Sequence, residues 1–140
     1  MPGLKITRIF TGDDGRSHFE DLEFTPTRPV LEAGAPAAAP GSLPVTIANF
    51  HGNYPQLPPN VRSERHGAPR RQILLVLGGE FEFECADGTR RFGPGEMVFT
   101  DDREGEGHTS RPLGDLQLLQ LRLAPEFDIA EWQATLSGSD

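Results

Sequence analysis

The chain has 140 residues, of which 13 are proline and 16 are glycine, and its formal net charge at pH 7 is −8. This length predicts a single domain with one core, and the spread of proline and glycine between apolar segments argues against a helical bundle. The negative charge argues against nucleic acid and anionic membrane surfaces as partners, because both bind basic faces.

No apolar run approaches the roughly 20 residues of a membrane-spanning helix, and the N-terminus lacks the apolar block of a signal peptide. Cys85 is the single cysteine, so no internal disulfide can form and a reducing cytoplasm is the expected location. We expect its thiol to be buried as a small apolar group rather than to be reactive.

The first half of the chain predicts three strands separated by loops. Leu4–Phe10 and His18–Phe24 are strand-like segments on either side of a turn rich in glycine and aspartate. Residues 26–44 are rich in proline, alanine and glycine without an apolar period, which predicts a long surface loop and a candidate lid. The β-branched segment Pro44–Phe50 predicts the third strand, and prolines interrupt the connection Tyr54–Pro69.

The centre of the chain predicts two strands joined by a glycine turn. Gln72–Leu77 is apolar on both parities, as expected of a strand that is covered on both faces. Gly78-Gly79 predicts a turn. Beyond it, Glu80–Cys85 alternates, so that one face carries Phe81, Phe83 and Cys85.

The remaining segments predict three more strands and one helix. Asp87-Gly88 is a hairpin signal before the strand Thr89–Phe92, and Glu96–Thr100 predicts the next strand. Leu116–Leu123 predicts a long final strand whose leucines change parity, which indicates either two buried faces or a bulge. Only Glu126–Leu136 has a helical pattern.

Together these segments predict eight to ten short strands with a turn roughly every 8 to 12 residues, followed by one short helix. The pattern is typical of an all-β barrel or sandwich, and it does not by itself distinguish a jelly roll from a lipocalin or an immunoglobulin-like fold. We expect one domain over residues 1–140, with the core barrel at about 43–124 and the helix at 126–136.

Four motifs follow one another between residues 66 and 108: Val-Leu-x-Gly-Glu, Asp-Gly, Phe-x-Pro-Gly-Glu and Gly-x-Gly-His. This stretch resembles the two motif blocks of the cupin superfamily, whose members are small jelly-roll β-barrels. In the first block Gln72, which six residues separate from Gly79, stands where the family has glutamate. His66 and Ala68 stand at the two histidine positions of that block.

The second block is matched at its two ends by Gly95 and by the run Gly105-Glu106-Gly107-His108. Its interval is longer than usual, and Arg103 and Pro112 replace a proline and an asparagine of the family pattern. The resemblance implies a jelly-roll fold and a homodimer. It does not imply one activity, because function depends on the site rather than on the fold.

The resemblance implies a site in the barrel interior formed by His66, Gln72 and His108. Cupin metal sites use three histidines and a carboxylate, ligands that suit Fe, Mn, Ni, Zn or Cu. Here Ala68 removes one histidine, and the neutral amide of Gln72 is a poorer ligand than a carboxylate. Two interpretations stay open: a divalent metal held with help from a neighbour such as Glu64 or His51, or a pocket without metal.

The other candidate site residues surround this position. Arg70 shares the parity of Gln72 and is a candidate to attract an anionic substrate, although an ordinary surface arginine is the alternative. His66 has the alternative of an exposed loop residue, and Gln72 that of pairing with backbone groups. The acidic loop 101–106 is expected to be solvated, unless one carboxylate folds back beside His108 as a general base. The expected apolar lining comprises Leu74, Val76, Phe81 and Phe83.

Two functions of different classes follow from these residues. The first is an enzyme of isomerase, lyase or oxygenase type that acts on a small polar or anionic metabolite, with His108 and His66 as catalytic residues. The second is a non-catalytic barrel that binds or senses a small-molecule ligand. Neither hypothesis involves nucleic acid or a membrane.

Overall fold

The computed structural model describes residues 4–24, 42–52 and 62–137, and this part of the chain forms seven strands and one helix. The all-β class with a short C-terminal helix is therefore confirmed. Most of the predicted 26–44 loop and much of the 54–69 connection lie outside the described residues. No helix in the described ranges is long and apolar enough to cross a membrane. The elements are β1 Leu4–Thr11, β2 Ser17–Phe24, β3 Val45–Gly52, β4 Gln72–Cys85, β5 Gly88–Phe92, β6 Met97–Asp101, β7 Thr109–Leu123 and α1 Ile129–Ser137.

The strands form one sheet with the neighbour order β2-β1-β6-β4-β7-β3, and β5 pairs with the second half of β4. β1 and β6 are parallel, and the other pairs are antiparallel. The two longest strands, β4 and β7, pair from Gln72↔Arg122 to Glu84↔Thr109. In the described part of the chain β2 and β3 do not pair with each other, so the sheet stays open at those edges.

Gly78 and Gly79 lie inside β4, so the predicted turn between two strands is wrong. The pairing of β4 with β7 shifts register on both sides of Gly78, which makes this point a bulge. Gly79 has a φ of 77°, and a Cβ there would lie 2.0 Å from the carbonyl oxygen of Asp115. Only glycine meets both requirements. Because two predicted strands merge into one, the described residues contain seven strands rather than eight to ten.

The sheet has two apolar faces, as the side-chain period of a strand requires. The inner face carries the core residues Ile9, Leu74, Val76, Phe81, Phe83, Cys85, Phe92, Val98, Leu116 and Leu118. The outer face carries Ile6, Ile73, Phe99, Leu123 and Phe127, against which Ile129 and Trp132 of α1 pack. The leucines of β7 change parity because both of its faces are covered. Cys85 is buried as expected, and burial raises the pKa of its thiol to about 12.

The helix α1 begins at Ile129, three residues later than its sequence pattern predicts. Asp128 acts as the N-cap, because its Oδ1 accepts a hydrogen bond of 3.0 Å from the backbone N–H of Glu131. The preceding residues, Pro125 and Glu126, form a turn instead of the first helical turn. From this start the helix packs Ile129 and Trp132 against the outer face of the sheet.

Candidate functional site

A cavity of about 830 Å³ opens on the inner face of the sheet. It contains most of the residues that the sequence predicts for the site: His66, Arg70, Gln72, Leu74, Phe81, Phe83 and His108. Val76 does not line it; this side chain is 1% exposed and belongs to the core beneath. The lining also includes side chains that the sequence analysis did not single out, namely Ser63, Arg65, Pro69, Thr100, Ser110, Gln120 and Arg122.

His66 reaches the cavity because residues 63–68 run beside the beginning of β7. The backbone groups of His66 and His108 exchange two hydrogen bonds of 2.8 Å, and the N–H of Ser63 donates to the carbonyl of Ser110. The close approach depends on Gly107, which has a φ of 81°. A Cβ at this position would lie 2.1 Å from the carbonyl carbon of His66, so no other residue fits here. Two loops that are distant in sequence are thereby held edge to edge.

His108 is buried and is oriented by Asp102, a residue that the sequence analysis expected in a solvated loop. The ring Nδ1 of His108 lies 2.6 Å from Oδ2 of Asp102, and the hydroxyl of Ser17 donates to the same oxygen at 2.6 Å. Asp102 is 0% exposed, and its Oδ1 has no hydrogen-bond partner in the described chain. Arg103, Glu104 and Glu106 are exposed, as expected of a solvated loop, whereas Asp102 matches the alternative of one carboxylate that folds back beside His108.

The signal for Asp102 was present in the alternation of β6. Val98 and Thr100 are both buried, and a strand period of two places Asp102 on their side of the sheet. The strand ends at Asp101, so the sequence pattern does not show that the alternation continues for one more residue.

The two imidazole rings lie together at the cavity wall, with their centroids 4.8 Å apart. Nδ1 of His66 lies 2.8 Å from the carbonyl oxygen of Glu64, so this nitrogen carries the proton. Nδ1 of His108 is likewise the donor to Asp102. In both rings Nε2 has no hydrogen-bond partner in the part of the chain that the structure describes, and this nitrogen is available to a ligand.

Gln72 takes part in a chain of polar side chains that leads to β3. Its Oε1 accepts a hydrogen bond from Nε2 of Gln120, whose Oε1 lies 2.7 Å from Nε2 of His51. The amide oxygen of Gln72, which would be its metal-binding atom, is therefore already engaged. The hydrogen bond that the structure describes for the Gln72 side chain is with another side chain, not with a backbone group.

The donor set fits a transition metal poorly. Within residues 4–24, 42–52 and 62–137 no three His, Cys, Asp or Glu side chains lie close enough to hold an ion together. Ala68 is buried and supplies no donor, and the imidazole of His51 bonds to Gln120 rather than lining the cavity. Glu64 lines the cavity, but its carboxylate does not group with the two imidazoles around one point, so the charge of a dication would be poorly compensated.

The cavity also carries arginines without acidic partners. Arg70 and Arg122 both line it, and neither forms a salt bridge with any described residue. Arg65 differs, because its guanidinium lies 3.4 Å from Glu84. The cavity thus combines two imidazoles, the carboxylate of Glu64, two guanidinium groups without a salt bridge among the described residues, and an apolar wall formed by Leu74, Phe81 and Phe83.

Comparison with known proteins finds likeness only among solved structures. A protein of unknown function from Streptococcus pyogenes aligns over 57% of this chain and 65% of its own, with 19% identity and a TM-score of 0.44. A cupin-2 domain protein from Shewanella frigidimarina aligns over 59% and 80%, with 16% identity and a TM-score of 0.36. The Cnp3 cupin domain from Schizosaccharomyces pombe aligns over 91% and 90%, with 11% identity and a TM-score of 0.38.

This chain therefore spans less than two thirds of the Streptococcus protein. No protein-family model matches the sequence, and no curated protein matches it at a significant level. The low identities and TM-scores say nothing about activity. The fold itself brings the two motif blocks together, because the backbone of His66 pairs with that of His108 beside the cavity. The resemblance of the two motif blocks to the cupin superfamily therefore stays a prediction from the sequence.

Proposed function

We propose that the protein binds a small polar metabolite in the cavity and that His108 transfers a proton on it, as in isomerase and lyase reactions. The observation that carries this proposal is the hydrogen bond between Asp102 and Nδ1 of His108. A buried carboxylate that holds one ring nitrogen fixes the tautomer and ring orientation, and it stabilises the imidazolium that forms when the other nitrogen takes a proton.

The chemistry follows from the position of the two rings. A ligand with a hydrogen on the carbon next to a carbonyl would lose that proton to Nε2 of His108, and the electron pair would move into the carbonyl. The imidazolium would then return the proton to the enolate oxygen, which gives the enol isomer of the ligand. His66, at 4.8 Å between ring centroids, is placed to act as the second proton carrier.

A metal is not used in this proposal, because the donor set of the cavity compensates the charge of a dication poorly. Elemental analysis of protein purified without a metal-binding tag tests this point. Near-stoichiometric Fe, Mn, Ni, Zn or Cu would contradict a metal-free site and would favour a reaction that depends on a Lewis acid.

A non-catalytic binding barrel is the second candidate function. It is favoured by Ala68 and Gln72, which replace two metal ligands of the family while the cavity stays open. In this case the imidazoles serve as hydrogen-bond partners of a ligand, and no bond in the ligand is broken.

Deuterium exchange distinguishes the two candidates. The protein is incubated in D₂O with a panel of small oxo and hydroxy compounds, both neutral and carboxylated, and loss of C–H signals is followed by proton NMR. We expect exchange on at least one compound, and we expect His108→Asn to slow it by about 100-fold or more, because general base catalysis typically contributes that much.

The matched control for this experiment is His18→Asn, which removes a surface histidine that does not line the cavity. Exchange should stay unchanged in this variant. If compounds bind to the wild-type protein and none exchanges, proton transfer is contradicted and the binding barrel is supported.

A further inference from the structure

Three polar side chains lie side by side across one wall of the cavity. In the strand register Thr100 of β6 pairs with Gln72 of β4, and Gln72 pairs with Arg122 of β7. Side chains of directly paired residues project from the same face, and neighbouring strands are about 4.8 Å apart. All three line the cavity, so they form a transverse row, which we call the donor row.

The donor row has hydrogen-bond donors that no described residue uses. Thr100 is 1% exposed, and its hydroxyl oxygen has no hydrogen-bond partner in the described residues. The amide nitrogen of Gln72 and the guanidinium of Arg122 also have no acceptor there, since Gln72 is engaged only through its oxygen. A buried hydroxyl without a partner is unfavourable unless something outside the chain satisfies it.

The charge of Arg122 is unusual among the arginines of this acidic chain. Within the described ranges, the arginines that form salt bridges with carboxylates are Arg8, Arg16, Arg62, Arg65, Arg71, Arg90, Arg91 and Arg111. Of the three that do not, Arg103 is exposed outside the cavity, Arg70 is exposed at its edge and Arg122 is a partly buried part of its lining. Glu64 lines the same cavity, yet no carboxylate in the described ranges forms a salt bridge with either Arg70 or Arg122.

We infer that the donor row binds the carboxylate group of the ligand. A planar carboxylate accepts two hydrogen bonds from a guanidinium and further bonds from an amide and a hydroxyl, and charge-assisted bonds of this kind are the strongest in proteins. Arg70, in the bend just before β4, also lines the cavity and adds positive charge there. This inference names the substrate class of the proposed proton-transfer site and rests on the same cavity.

Binding of carboxylates tests the inference without any need for turnover. Dissociation constants are measured by ligand-observed NMR for each carboxylated compound of the panel and for its neutral primary amide. We expect the wild-type protein to bind the best carboxylate at least about 10-fold more tightly than its amide, because hydrogen bonds to charged groups are the stronger ones. Arg122→Gln should remove most of this preference.

Arg103→Gln is the matched control, since it removes the same charge from an arginine that also lacks a carboxylate partner but lies outside the cavity. Its carboxylate affinity should remain within about 2-fold of the wild-type value, because interactions between exposed, distant charges are screened. An equal loss in Arg103→Gln and Arg122→Gln would overturn the inference, since the effect would then be one of net charge.

Thr100→Val separates a ligand-binding hydroxyl from a structural one. The substitution removes an unsatisfied buried donor, so the free protein should be as stable as the wild type or more stable in urea. Carboxylate affinity should nevertheless fall by about 3-fold or more, because one hydrogen bond to the ligand is lost. Unchanged affinity in both Thr100→Val and Arg122→Gln would overturn the inference.

The outcomes for the two proposals are distinguishable. If the wild-type protein binds no carboxylate more tightly than its amide, the donor row is not a carboxylate site, while proton transfer on a neutral ligand still stands if deuterium exchange occurs. If carboxylates bind through the donor row and no C–H signal is lost, the inference holds and the proton-transfer function fails.

Discussion

Two groups of arginines lie on this sheet, and they differ in whether the chain itself compensates their charge. Glu82 of β4 is 2% exposed, and its carboxylate bonds to Arg62, to Arg91 at 3.2 Å and to Arg111 at 2.9 Å. At the cavity, Arg70 and Arg122 have no carboxylate partner among the described residues. The Glu82 cluster is therefore complete without a ligand, whereas the cavity has positive charge that an anion would complete.

The difference shows which cluster has a structural role. Burial by itself raises the pKa of Glu82, but the hydrogen bonds from Arg62, Arg111 and Arg91 outweigh burial and hold this pKa below its usual value. The ionised carboxylate is thus stabilised by the fold. Among the described residues no comparable partner stabilises the cavity arginines, so their charge has no evident structural benefit.

The largest effect is expected from Glu82→Gln. Removing the anion leaves three arginines without their carboxylate partner around a buried amide. We expect a loss of about 2 kcal/mol in the free energy of unfolding. This is less than the loss expected for a fully buried ion pair, because the arginines are partly exposed. Urea denaturation measures this loss. Glu80→Gln, an exposed glutamate on the same strand, should change stability by no more than about 0.5 kcal/mol.

The Glu82 effect should also depend on pH. Because the folded-state pKa of Glu82 is lowered, its contribution is fully present above the unfolded-state pKa and is lost as the pH falls through the folded-state value. The stability difference between wild type and Glu82→Gln should therefore shrink in acid. A difference that stays constant from neutral pH to about pH 3 would contradict ionisation as the cause.

A smaller effect is expected from His18, which gives an exposed counterpart to the Glu82 cluster. Hydrogen bonds from its ring to Asp87 and Asp14 raise its pKa above 6.5. Its contribution is fully present below the unfolded-state pKa and is lost as the pH rises through the folded-state value. The stability advantage of wild type over His18→Gln should accordingly decrease as the pH rises above about 6.5; an advantage that grows with pH would contradict this assignment.

The smallest effect on stability is expected from Arg122→Gln. Since Arg122 forms no salt bridge in the described part of the chain, the free energy of unfolding should change by no more than about 0.5 kcal/mol. The measurement is urea denaturation without ligand, beside Glu82→Gln. A loss as large as that of Glu82→Gln would show that the cavity arginine is structural and would remove the contrast between the two clusters.

The sequence predicted the local elements better than their connections. The alternation of Phe81, Phe83 and Cys85 predicted a face that is buried in the structure, and Asp87-Gly88 predicted the hairpin between β4 and β5. Gly78-Gly79 was misinterpreted, because a glycine pair is compatible with a turn and with a bulge. Only the partner strand, which continues past this point, distinguishes the two.

The site was predicted in part, and the division has a physical cause. The motif resemblance pointed to His66, Gln72 and His108, and all three line one cavity. It did not point to Asp102 or Arg122. Asp102 lies in a segment whose composition is that of a solvated loop, and its burial depends on Ser17 and His108, which come from other segments.

By itself the sequence determined the all-β class, the positions of most strands and the faces of their alternating side chains, because these depend on neighbours within a few residues. The tertiary structure alone decided which side chains meet: Thr100 beside Gln72 beside Arg122, and Asp102 against His108. These contacts depend on strand register and on loops that pack edge to edge. The sequence around each residue carries no signal of a partner that is far away in the chain.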